Sequence, residues 1–133
     1  MSKLRVLVAE DHAAVRANVV RLLSKSYDVV GPVNDGRALL EAVDTLAPDV
    51  LVVDLSLPHI SGIEAATILQ QRERPPRIVF LTVHNDPDFV RATRDAGALG
   101  YVLKQQMNTD LPQAIEKASA GECFTSPSVR GLS

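Results

Sequence analysis

The sequence predicts one α/β domain, a doubly wound parallel sheet of five strands with five helices, and three observations lead there. Five short β-branched runs alternate with segments of helical period along the 133 residues. The first, third and fourth runs are apolar nearly throughout, as strands are when helices cover both faces of a sheet. With 46% apolar residues the chain can bury a substantial core, and it is the size of one folded unit.

The strand runs are LRVLVA from Leu4, YDVV from Tyr27, DVLVV from Asp49, RIVFL from Arg77 and YVL from Tyr101. Between them the apolar residues fall into stripes of helical spacing: Val15, Val19, Leu22 and Leu23 in the first helix, Leu39, Val43 and Leu46 in the second, Leu111, Ile115 and Ala118 in the last. Ser61-Gly62-Ile63-Glu64 has the spacing of a capping box at the start of the third helix. Asp86-Pro87 opens the fourth, with proline suited to the first helical position, and Gly97 and Gly121 are plausible stops. The fourth helix offers only Phe89, Val90 and some alanines as apolar cover, so looser packing is expected there. Right-handed crossovers restrict the topology, and 2-1-3-4-5 is the common five-stranded solution. Residues 1–121 form the domain on this reading. Residues 122–133, ECFTSPSVRGLS, lose the periodicity and read as the start of a linker.

Composition excludes several classes. Acidic and basic residues nearly balance at 16 against 14, with no basic stripe to grip a nucleic-acid backbone. No apolar stretch is long enough for a membrane span or a secretory signal, so the expected compartment is the cytosol. Cys123 is the single cysteine, which rules out an internal disulfide framework and a cysteine-rich zinc site.

Function is legible where the apolar runs end. Glu10-Asp11 follow the first run, Asp54 the third, Thr82 the fourth and Lys104 the fifth. In the order 2-1-3-4-5 these four strands are consecutive neighbours, and ligand sites in such sheets lie beyond the carboxyl ends, at the switch point between the first and third strands. Converging carboxylates repel one another unless a cation intervenes, and Mg²⁺ suits them because it takes one or two carboxylates, waters and phosphate oxygens. Asp54, ending the most buried strand, is the candidate nucleophile, since a carboxylate can accept a phosphoryl group as an acyl phosphate. Asp11, Thr82 and Lys104 then supply the metal ligand, hydroxyl and ammonium that such a transfer needs. His12, beside the acidic pair, reads as a solvated side chain, and His59 as a loop residue able to touch a partner.

At these residues the chain resembles the receiver domain of two-component response regulators, a CheY-like, flavodoxin-like fold. The matching pieces are VLVAEDH, VVDLSLPHISGIE with Asp54, Pro58 and Gly62, FLTVHND with Thr82, and GALGYVLK with Tyr101 and Lys104, which together cover Leu4 to Gly121. The resemblance implies that Asp54 takes a phosphoryl group from a phosphohistidine on a sensor histidine kinase. It implies that Mg²⁺, or Mn²⁺ in its place, is held by Asp11, Asp54 and the backbone carbonyl of Ser56, with Glu10 acting mostly through water. Thr82 and Lys104 would contact the phosphoryl oxygens, and inward rotation of Tyr101 would report their capture. Ser56, Val83 and His84 would tune the lifetime of the phosphorylated state. GALGYVLK and the GECFTSPSV tail look like receivers joined to a LuxR-type helix-turn-helix domain, which implies dimerisation on phosphorylation and DNA binding through that missing output domain. The family often has a cis proline after the lysine, where this chain has Gln105, so the geometry of that loop stays open.

Three rivals deserve weight. An aspartyl-phosphate phosphatase of the haloacid-dehalogenase type needs a second aspartate two residues after its nucleophile, and Ser56 stands there. A flavin carrier wants a hydroxyl- and glycine-rich phosphate loop after the first strand, where Asp11-His12-Ala13-Ala14 would repel phosphate. An interaction module controlled by protein contact alone would keep the same residues.

Overall fold

Parallel pairing throughout brings the carboxyl end of every strand to one edge of one sheet, in the order β2-β1-β3-β4-β5-β6. The computed structural model describes residues 3–129. The elements run β1 (Arg5–Ala9), α1 (Ala13–Ser24), β2 (Asp28–Val33), α2 (Gly36–Leu46), β3 (Val50–Asp54), α3 (Gly62–Leu69), β4 (Arg77–Thr82), α4 (Pro87–Asp95), β5 (Gly100–Leu103), a single 3-10 turn (Lys104–Gln106), α5 (Met107–Ser119) and β6 (Phe124–Thr125).

Alternate residues of the central strands feed two separate cores, because successive side chains on a strand point to opposite faces. Leu7, Leu51, Val53, Ile78 and Phe80 pack with Leu39 and Val43 of α2 and Ala65, Ala66 and Leu69 of α3. Val6, Val8, Val50, Val52, Val79, Leu81 and Val102 pack on the other face with Val19 and Leu23 of α1 and Leu111, Ala114, Ile115 and Ala118 of α5. Every residue of β3 is buried, as its unbroken apolar run predicts. Strand β2 is an edge and is half wet, so it tolerates Pro32.

Side-chain caps start three of the helices, two of them at the positions the sequence marks, Ser61 and Asp86. Asp35 caps α2 by accepting from the Ala38 amide at 2.8 Å, and Asp86 caps α4 through the Asp88 amide at 2.9 Å. Ser61 accepts from the Glu64 amide at 3.1 Å, the first half of the capping box. Helix α4 buries only Val90 and Thr93, in keeping with its thin apolar cover. Gly97 and Gly121, with φ of 97° and 77°, follow the ends of α4 and α5 in the left-handed region that glycine adopts without strain.

The sheet has one strand more than the sequence predicts. Residues 124–125, expected in a linker, pair in parallel with Gly100 and Tyr101 of β5. Beyond them Ser126 and Val129 are buried. The chain from Phe124 to Val129 therefore packs on the domain, and residues 130–133 of the expected linker lie outside the described residues. The open question at Lys104-Gln105 is also answered: among the described residues the one cis peptide is Gly31-Pro32, and Lys104 enters a 3-10 turn.

Gly62 sits where the chain from Asp54 turns into α3. A Cβ there would meet the Asp54 carbonyl and a Phe80 ring carbon, each at 2.8 Å, and backbone cannot move aside cheaply. Gly62→Ala is expected to destabilise the fold by about 1–3 kcal/mol, as overpacking does, measured as a lowered urea midpoint with unchanged slope.

Candidate functional site at the carboxyl edge

Glu10 directly follows β1, Asp54 and Thr82 are the last residues of β3 and β4, and Lys104 directly follows β5. Strand ends thus deliver all four groups to one edge, three of them, Glu10, Asp54 and Thr82, buried. The backbone around the acidic pair is held from two sides. The Glu10 amide donates to the Val33 carbonyl at 3.0 Å, and the Arg16 guanidinium donates to the Glu10 carbonyl at 2.9 Å.

Ligand atoms of Glu10, Asp11, His12 and Asp54 all lie within 4.8 Å of one another. Asp54 Oδ1 accepts from the Ser56 amide at 3.0 Å, while Oδ2 lies 3.3 Å from Lys104 Nζ. Lys104 Nζ also forms a 2.8 Å ion pair with Glu10 Oε1, and that buried oxygen has no hydrogen-bond partner. Glu10 Oε2 accepts from the His12 amide at 3.2 Å. The His12 ring is largely exposed, as predicted, yet its Nδ1 stands 3.4 Å from both Glu10 and Asp11 carboxylates.

Electrostatics separate the two buried acids. Burial, then the neighbouring Asp54 carboxylate, raises the Glu10 pKa above the ordinary carboxylate range. Burial pushes Asp54 the same way, but the neighbouring Glu10 carboxyl, the Ser56 amide and the Lys104 ammonium outweigh it and hold Asp54 low. Burial would lower Lys104, and the Glu10 and Asp54 carboxylates more than offset that, keeping the ammonium charged. Of the two buried acids, Asp54 is the one held low and Glu10 the one pushed up. A buried anion with a free lone pair direction nearby and a third carboxylate at the rim is a donor set suited to a hard divalent cation.

Thr82 is buried, and its Oγ1 accepts from the His84 amide at 3.1 Å. The His84 carbonyl in turn accepts from the Tyr101 hydroxyl at 2.7 Å. Tyr101 is 1% exposed, and its ring lies inward in this structure. His84 stacks on Phe89 of α4 with ring centroids 4.5 Å apart, and Val83 and Ser56 face solvent. His59, exposed with φ of 69°, lies in the loop after Asp54.

A model of the response regulator receiver domain matches residues 6–116. The chain belongs to that family. As a receiver it is part of two-component signalling, and a LuxR-family regulator is among the solved structures it resembles. It is 34% identical over 131 residues to the probable transcriptional regulatory protein NarL of Mycobacterium tuberculosis, covering 97% of this chain and 61% of that protein. A LuxR-family two-component response regulator from Aurantimonas sp. superposes with a TM-score of 0.90 at 35% identity, over 96% of this chain and 93% of that one. RcsB, solved as two dimers bound to two parallel DNAs, gives 0.85 at 32% identity, over 96% of this chain and 66% of that one. The receiver spans 61% or less of the length of the curated relatives it matches here.

Two buried residues escape the sequence reading. Asp110 and Ser126 bond each other at 2.7 Å beneath the surface. The signal for Asp110 is its place four residues before Ala114 on the apolar stripe of α5, where a charge needs a partner. Nothing in the sequence names Ser126 as that partner, since the pairing depends on β6.

The two tyrosines of the receiver report on this packing. Burial raises Tyr101 to about 12, and burial with the Glu116 carboxylate raises Tyr27 as well. A raised acid pKa means the neutral phenol is favoured by the fold, so Tyr101 contributes stability fully below about pH 10 that is lost as pH rises through the folded value. Ultraviolet titration is expected to show little tyrosinate at about pH 10.5 in the folded receiver but a majority in the urea-unfolded chain, and Tyr101→Phe should remove the step near 12.

Proposed function

We propose that Asp54 is the phosphoacceptor of this receiver and draws its phosphoryl group from a phosphohistidine on a sensor histidine kinase. What carries the reading is that Asp54 is held ionised at the strand edge, one oxygen fixed by the Ser56 amide and the other facing Lys104. In the transfer an Asp54 oxygen bonds to phosphorus as the phosphorus–nitrogen bond of the donor breaks and its electron pair returns to the imidazole. Lys104 then meets a phosphoryl oxygen with the ammonium that now faces Asp54, and the Thr82 hydroxyl, whose oxygen accepts from His84, is free to donate its proton to another. Charge held in place before the reaction starts needs no reorganisation during it.

Mg²⁺, or Mn²⁺, fits the donor set of Asp11, Asp54 and the Ser56 carbonyl, with Glu10 behind it, and when bound supplies positive charge to the phosphoryl oxygens. Ser56, Val83 and His84 flank the edge and set the lifetime of the acyl phosphate. The receiver catalyses only its own phosphorylation and dephosphorylation. It acts in the cytoplasm, pairs with a second copy once phosphorylated, and controls transcription through a DNA-binding domain outside these 133 residues. The transcriptional regulators among the relatives and the RcsB dimers on DNA support that output.

Incubation with acetyl phosphate and Mg²⁺ should add one phosphoryl group to the intact mass of the native receiver and none to Asp54→Asn. Steady release of phosphate over many turnovers would instead indicate a phosphatase. Mg²⁺ in about 100-fold excess over its Kd should stabilise the native fold by about 2.7 kcal/mol, read as a rise in Tm, and Asp11→Asn should abolish most of that rise.

A further inference from the structure

The segment Phe124–Val129 crosses the outer edge of β5 and is bound there at every step. The Phe124 amide donates to the Leu99 carbonyl and the Ser126 amide to the Tyr101 carbonyl, each at 2.9 Å. Ser126 Oγ accepts from the Leu103 amide at 3.0 Å and donates to Asp110 Oδ2 at 2.7 Å, with serine and aspartate both buried. Val129, 2% exposed, closes over Tyr101 in a small apolar cluster shared with Leu103 and Val90 of α4. This is a built contact. A buried carboxylate is costly unless its hydrogen bonds are made, and Asp110 meets that cost through the segment.

We infer that Phe124–Val129 is a positioning strap for Tyr101, so that docking of the strap and capture of a phosphoryl group at Asp54 reinforce each other. The inference rests on the proposed function. Strap and switch are connected by an unbroken set of contacts: Val129 on the Tyr101 ring, the Tyr101 hydroxyl on the His84 carbonyl, and the His84 amide on the Thr82 hydroxyl. Val129 and Tyr101 share one buried cluster in the structure, with the ring inward and the strap docked. Each therefore stabilises the other. Thr82 can meet a phosphoryl oxygen while Tyr101 occupies its inward place, so a ligand that prefers this arrangement must tighten the strap, and loss of the strap must weaken that ligand by the same factor. The state of Asp54 is thereby carried to the residues that follow Val129.

Trifluoroberyllate, a phosphoryl mimic for aspartate, tests both directions of this coupling on the full chain. In Mg²⁺, Val129→Ala and Ser126→Ala are expected to weaken its binding by about fivefold or more, while Val129→Ile binds as the native receiver does and Mg²⁺ affinity is unchanged in all three. Trifluoroberyllate should also slow amide hydrogen exchange at Leu103 and Ser126 of the native chain by about the same factor, and have no such effect in Asp54→Asn. Native-like affinity in Val129→Ala and Ser126→Ala, or unaltered exchange in the native chain with the mimic bound, overturns the strap and leaves the phosphoacceptor reading standing. Failure of the native chain to bind the mimic or gain a phosphoryl group overturns that reading and the strap with it.

Discussion

Like charge confined at the end of a parallel sheet is the constraint on which the rest of this receiver depends. Glu10 and Asp54 are carried below the surface by strands whose hydrogen bonding leaves them no choice of depth, and Asp11 adds a third carboxylate at the rim. One ammonium, Lys104, lies within reach of both buried acids. Its single charge offsets them only partly, so the pKa of Glu10 is pushed up while that of Asp54 is held low. The remaining negative charge is of the kind that suits a hard divalent cation.

The scaffold converts this electrostatic tension into position. Two cores on opposite faces grip β3 and β4 along their whole length, so Asp54 and Thr82 end at fixed heights with little freedom to relax away from one another. Gly62 lets the following chain press against the Asp54 carbonyl, and the Ser56 amide returns to bind the same residue's side chain. Precision at the edge comes from buried apolar surface, which stabilises the fold without competing for the polar groups.

Away from the acids, packing is deliberately thinner. Helix α4 buries two side chains, and His84 and Phe89 stack half in solvent at its entrance. The backbone of His84 joins Thr82 to Tyr101, so a displacement of the hydroxyl at the edge is felt by an aromatic ring in the third small cluster. Weakly held elements are the ones a small local free energy can move.

The alternation of apolar runs and helical stripes by itself determined the layer structure, the strand order and the four strand ends that make the site, because period and burial are local properties written into consecutive residues. Asp54, Thr82, Lys104 and the acidic pair were legible for the same reason: each stands at the first polar position after an apolar run. Only the tertiary structure decided that Tyr101 lies inward, that Lys104 pairs with both Glu10 and Asp54, and that ECFTSPSV folds back as β6 and a buried Ser126. Those outcomes depend on partners far along the chain, such as Asp110 for Ser126 and His84 for Tyr101. A two-residue strand has no period of its own, and it forms because the exposed edge of β5 offers it hydrogen bonds.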